Sequence, residues 1–83
     1  MKRLTASNTT NPITGKIGKV DKDVFYLTGR AKQVYQVPLT PQLLADMFTL
    51  AGSPAFAALQ GLDVVVYSDG GALRAKAAEL QED

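Results

Sequence analysis

Basic and aromatic side chains alternate in the first half of the chain, and this combination can bind single-stranded nucleic acid. The set comprises Lys16, Lys19, Lys22, Arg30 and Lys32, with Tyr26 and Tyr35 among them. Cationic side chains neutralise phosphates while aromatic rings stack on bases, so such binding weakens steeply as salt is added. Asp21 and Asp23 interrupt the set. The competing interpretation is a solvated sheet surface, because lysines also protect exposed strand edges from association.

Charge is distributed unevenly along the 83 residues, although the whole chain carries a net charge of only +1. Residues 1–35 contain seven basic and two acidic residues, whereas residues 36–83 contain two basic and six acidic residues. The field of a basic stretch attracts anionic partners. The asymmetry therefore favours a binding protein without naming its partner.

The absence of cysteine and histidine limits the chemistry open to this chain. Zinc and copper sites rely on these two residues, and histidine is the usual general base near neutral pH. Asp21 and Asp23 lack the remaining residues of a calcium-binding loop. The segment Ser68–Gly71 lacks the lysine and the glycine spacing of a phosphate-binding loop. We therefore expect no catalytic residue, no cofactor and no metal, and predict that the protein is not an enzyme.

Apolar residues are concentrated between Leu43 and Leu62, at more positions than two short helices can bury. Residues left at the surface would form a patch for a protein partner or for a second copy of the chain. The candidate interface consists of Leu43, Met47, Phe48, Phe56 and Leu59. The alternative for each of these residues is packing against the sheet.

The first half of the chain predicts a meander of three antiparallel strands behind a flexible polar tail over residues 1–12. Alternating and β-branched residues place the strands at 13–20, 24–28 and 31–37. Gly29 and Arg30 are predicted to form the two-residue loop between the second and third strands, with glycine supplying a positive φ.

The second half predicts helices around one further strand. Thr40 and Pro41 mark the start of a helix that ends at Gly52, and residues 55–60 follow as a second, short helix. The apolar run 62–67 predicts a strand buried on both faces, and the helix propensity of residues 72–81 predicts a C-terminal helix. The predicted fold class is therefore α+β in the order βββααβα, as one domain over residues 13–83.

The hexapeptide Gly15–Val20 resembles the glycine–lysine core of a KOW motif, which occurs in ribosomal and transcription proteins with small SH3-like barrels. The resemblance covers six of the 83 residues. The apolar strand that precedes this core in the family is replaced here by the polar segment Thr9–Pro12, and the predicted helix-rich second half is foreign to that fold. No family is assigned on these six residues.

The sequence as a whole indicates a small non-enzymatic interaction module, an adaptor or inhibitor that binds a protein partner, with a homodimer as a further expectation. Such chains are typical of phage and other mobile elements, where they block or redirect a host complex. The alternative is a nucleic-acid-binding module that uses the basic stretch. No segment has the roughly 20 apolar residues of a membrane span, and no apolar segment follows Arg3 as in a secretory signal. We therefore expect a cytoplasmic protein without a membrane partner.

Overall fold

A six-stranded mixed sheet dominates the computed structural model, which describes residues 2–29 and 31–78. The strands are β1 (Lys2–Arg3), β2 (Ile13–Val20), β3 (Val24–Gly29), β4 (Val34–Pro38), β5 (Asp63–Asp69) and β6 (Ala72–Ala77). Between β4 and β5 the chain forms helix α1 (Pro41–Ala51) and a 3₁₀ turn (Phe56–Leu59). The spatial order is β1-β4-β3-β2-β5-β6, in which β1 runs parallel to β4 and all other neighbours are antiparallel.

The predicted fold class βββααβα is wrong, because the described chain contains six strands and a single α-helix. The predicted second helix, 55–60, is only the 3₁₀ turn. The predicted C-terminal helix, 72–81, begins instead as strand β6, and residues 79–81 of that prediction lie outside the described residues. The predicted strand 62–67 corresponds to β5, but it is not buried on both faces, because only Val64 and Val66 are buried, and β2 and β6 pair with its two edges.

The turn Gly70-Gly71 explains why the last segment is a strand. Both glycines have positive φ, 61° and 86°, and a two-residue hairpin of type I′ requires this at both central positions. Asp69 therefore pairs with Ala72, and β6 folds back along β5. From Leu73 onward, buried and outward-facing residues alternate with a period of two, and pairing with β5 outweighs the helix propensity of the alanines.

The β3–β4 connection also differs from the predicted two-residue loop. Gly29 belongs to β3, and its N–H donates to the carbonyl of Gln33. The positive φ in this loop is found at Lys32, 62°, and β4 starts at Val34 rather than at residue 31. Arg30 lies outside the described residues.

Within the segment predicted as a flexible tail, Lys2–Arg3 forms a strand, and Leu4 and Thr9 are buried. Lys2 and Arg3 pair with Tyr35 and Gln36 of β4, and the Leu4 side chain is 1% exposed. The following turn is closed by side chains: Asn8 accepts a hydrogen bond from the Thr5 N–H, and its amide donates to the Arg3 carbonyl.

Helix α1 begins and ends where the sequence predicts. The Thr40 hydroxyl accepts from the Leu43 N–H, and Pro41 stands at the first helical position, where an N–H would have no helical partner. Gly52, with a φ of 70°, caps the last turn through its N–H to the Phe48 carbonyl. The helix covers one face of the sheet, called the inner face below.

The core lies between α1, the 3₁₀ turn and the inner face. Its fully buried side chains are Ile17, Phe25, Leu27, Val37, Leu43, Met47, Leu59, Val64 and Val66. The outer face of the sheet carries the alternate residues, including Tyr26, Val34, Val65 and Tyr67, none of which contacts this core.

The outer edge of β6 is tied to α1 by the carboxylate of Asp46. Its Oδ2 atom accepts from the Arg74 Nε at 2.8 Å and from the Ala75 backbone N–H at 3.2 Å. A hydrogen bond from Arg74 Nη2 to Oδ1 makes the ion pair bidentate. The bonds from Arg74 hold the pKa of Asp46 below its usual value, and the same contact raises the pKa of Arg74.

We expect Gly15→Ala to destabilise the fold, because a Cβ at Gly15 would lie 2.6 Å from the Thr28 carbonyl oxygen and 2.9 Å from Leu27 Cγ. Forced overlap of this kind costs about 1–3 kcal/mol. Gly18→Ala in the same strand is the matched control, since its Cβ would meet only the Tyr26 oxygen, at 3.8 Å. Urea unfolding measures both variants, and equal losses of stability would contradict the assigned β2–β3 register.

We expect Asp46→Asn to lower the unfolding free energy at neutral pH by about 1 kcal/mol, because the ion pair with Arg74 is partly exposed to solvent. Because the folded-state pKa of Asp46 is lowered, its stabilisation is present above the ordinary value of 3.8 and is lost as the pH falls through the folded-state pKa. The stability difference between wild type and variant should therefore shrink below that pH. Chemical denaturation at a series of pH values tests this, and a pH-independent difference would rule out an ionised Asp46 as the cause.

Candidate protein-binding surface

The predicted interface residues separate into a buried group and a surface group. Leu43, Met47 and Leu59 are fully buried in the core and cannot contact a partner. Phe48 is half-buried, and the Phe56 side chain is 53% exposed. Only the two phenylalanines are therefore placed where a partner could touch them.

Phe48 and Phe56 form an aromatic pair at the end of α1. Their ring centroids are 5.7 Å apart and the ring planes are tilted by 42°, within the range of favourable aromatic contacts. Leu59 anchors the 3₁₀ turn in the core, while the Ala55 carbonyl accepts from the Ala58 N–H and closes the turn. Phe56 is thus held in a fixed place although half of it faces solvent.

Small apolar residues surround Phe56 at the surface. Pro54, Ala55, Ala57 and Ala58 are all exposed, and together with Phe56 they form what we call the Phe56 surface. No residue from 47 to 62 is charged. At the two ends of this run, Asp46 is paired with Arg74 and Asp63 is paired with Lys16.

The composition of the Phe56 surface determines what it can do chemically. It offers apolar area and an aromatic ring but no group that titrates or transfers a proton. A large aromatic ring without charged neighbours is typical of the centres of protein interfaces, which favour aromatic and disfavour charged residues. The interface residues predicted from the sequence include Phe56 but not the flanking proline and alanines. The run of uncharged residues around Phe56 indicates these flanking residues as well.

Among the described basic residues proposed for nucleic acid, Lys22 and Lys32 lie far from each other. Lys22 lies in the β2–β3 turn and Lys32 in the β3–β4 loop, at opposite ends of the six-residue strand β3, which places them about 20 Å apart. Lys19 is exposed at an irregularity of β2, and Lys16 is 3.1 Å from Asp63, which offsets its charge.

The two tyrosines of that hypothesis point to opposite sides of the sheet. Tyr26 alternates with the buried Phe25 and Leu27 and therefore lies on the outer face. Tyr35 pairs with Leu27, packs against the core on the inner face, and its hydroxyl donates to Gln33. A third tyrosine, Tyr67, lies on the outer face under the Lys76 ammonium, 5.2 Å from its ring centroid, and sequence analysis did not single it out.

Neither a metal-binding cluster nor a membrane-spanning helix is found among the described residues. Within 2–29 and 31–78, no group of three or more metal-binding side chains is close enough to hold an ion. The same part of the chain contains no helix with the length and apolar character needed to cross a membrane.

We expect the separated lysines to give at most weak, non-specific binding to nucleic acid, because few phosphates can be neutralised at once. Fluorescence anisotropy with single- and double-stranded DNA and RNA, titrated from low to physiological salt, measures this. Lys22→Ala and Lys32→Ala should each change any low-salt binding by less than about twofold. Micromolar binding at physiological salt with a steep salt dependence would contradict the expectation and favour the nucleic-acid-binding function.

Comparison with protein-family models, with curated proteins and with solved structures gave no match.

Proposed function

We propose that this protein is a non-enzymatic interaction module that binds another protein through the Phe56 surface. The observation that carries the proposal is the 53% exposure of Phe56 within a run of sixteen uncharged residues, 47–62. The other large hydrophobic side chain at the surface of the described chain, Val34, is smaller and 36% exposed.

The energy available from Phe56 supports this role. A phenylalanine offers about 200 Å² of surface, so covering its exposed half would contribute about 2.5 kcal/mol to binding. That amount is typical of a residue that dominates an interface. The neighbouring alanines and Pro54 add apolar area and can exclude water around the ring.

Preorganisation also supports the proposal. The Phe48 ring packs against Phe56, and Leu59 fixes the turn from below. Little side-chain entropy is then lost when a partner covers Phe56, and lost entropy is one of the main costs of association. Such a module would act as an adaptor or inhibitor by occupying a surface of its partner. The cytoplasmic location, the homodimer and the mobile-element origin remain predictions from the sequence.

We expect Phe56→Asp to abolish partner binding while the protein stays folded. The substitution introduces a charge at the centre of the Phe56 surface and removes a half-buried ring, so the stability loss should be about 3 kcal/mol, of which the covered half of the ring contributes most and the aromatic pair the rest. A loss of this size leaves a domain of ordinary stability folded. Affinity capture from cell lysate with wild type, Phe56→Asp and the control Val34→Asp measures binding, and circular dichroism with thermal melting checks the fold.

A partner retained by wild type and Val34→Asp but lost with Phe56→Asp supports the proposal. Sedimentation of the three purified proteins adds a second test: a dimer dissociated by Phe56→Asp alone would identify the partner as a second copy of the chain. Partners retained equally by all three proteins, with monomeric behaviour throughout, would contradict the proposal.

A further inference from the structure

An uncharged groove opens beside the first residues of β6, on a different part of the molecule from the Phe56 surface. Its volume is about 550 Å³, within the range of ligand-binding clefts. One wall is formed by Thr5 and Ala6, another by Pro38 and Pro41, and the third by Ala72 and Leu73. None of the residues that line the groove is charged.

The third wall is the open edge of the sheet. Asp69 and Ala72 flank a two-residue turn, so they exchange hydrogen bonds with each other. From Ala72 onward, the N–H and carbonyl of successive β6 residues point alternately toward β5 and away from it. The Ala75 N–H confirms the alternation, since it points away from β5 and donates to Asp46. The N–H and carbonyl of Leu73, two residues earlier, must point the same way, into the groove.

The unused part of this edge is short and well defined. At Ala75 the edge is closed by Asp46, whereas no hydrogen bond from residues 2–29 or 31–78 reaches the outward N–H of Leu73. Pro38 and Pro41 on the facing wall contribute rings without N–H donors. The groove therefore combines one open backbone donor–acceptor pair with uncharged, mostly apolar walls, to which Thr5, Thr40 and Gln42 add polar groups, and these walls favour uncharged side chains.

We infer that this groove binds an extended, uncharged peptide segment, which adds a short strand to β6 at Leu73. An exposed strand edge recognises an extended backbone through main-chain hydrogen bonds, while pockets beside it select the side chains. A charged side chain would lose its hydration against Pro38, Pro41 and Ala6 without gaining a partner. This inference is independent of the proposed function at the Phe56 surface.

The experiment uses the full chain and the blocked peptide acetyl-Thr-Val-Thr-Val-Thr-amide as probe. Amide chemical shifts of the ¹⁵N-labelled protein are followed during titration, and saturable changes are expected at Gly71, Ala72 and Leu73, with a dissociation constant of roughly 1 mM. Amide hydrogen exchange at Leu73 should slow by about tenfold at saturation, because its N–H becomes hydrogen-bonded.

Two controls separate strand addition from general apolar binding. Pro41→Glu places a carboxylate in the groove wall at a first helical position that tolerates it, and should weaken peptide binding about tenfold. Pro12→Glu, an exposed proline outside the groove, should leave the affinity unchanged. A peptide with methylated backbone nitrogens should not bind, because it cannot donate hydrogen bonds to the edge.

Three results would overturn the inference. One is the lack of a saturable shift up to about 5 mM peptide. Another is equal binding of the methylated peptide, which would make the groove a general apolar cleft. The last is a shift at Gly71–Leu73 that depends on protein concentration without peptide, which would assign the edge to a second copy of the chain. Phe56→Asp leaves the groove intact, so failure of one proposal does not imply failure of the other.

Discussion

The packing of helix α1 on the sheet determines the arrangement of the described chain, and the carboxylate of Asp46 fixes the helix at the edge of that sheet. This carboxylate joins the only α-helix in that part of the chain to an edge strand, by binding both the Arg74 side chain and the Ala75 backbone. The apolar side of the helix covers the inner face, and burial of Leu43 and Met47 there stabilises the same position of the helix. The same contact occupies a backbone donor that would otherwise invite association with another strand.

The local signals of the sequence predicted the meander and the main helix well, because those elements are determined by neighbouring residues. Alternating side chains describe β2 and β3, and the Thr40-Pro41 and Gly52 caps define α1. The C-terminal strand was missed because alanines favour helix in isolation, whereas strand pairing is a tertiary effect. The Gly70-Gly71 dipeptide is a local hairpin signal, and it outweighs the helix propensity of the alanines that follow it.

The candidate sites could be predicted only in part, because exposure and strand neighbours are tertiary properties. Sequence patterns cannot tell which apolar residues of a helix remain exposed, and therefore Leu43, Met47 and Leu59 were grouped with Phe56. Nor do they reveal which strands become neighbours. Strand β5 pairs with strand β2, so Lys16 of the basic half of the chain forms an ion pair with Asp63 of the acidic half.

The pairing of β2 with β5 also has a consequence for the order of assembly. Ile13 and Val66 are neighbours in the sheet although about fifty residues separate them along the chain. During synthesis the β2–β3–β4 meander is complete before β5 exists, and one edge of β2 then remains open. Closing so long a loop is entropically costly and slows folding. Newly made chains will therefore be most vulnerable to proteases and to mutual association until the fifth strand arrives, so chaperone dependence should concentrate in that interval.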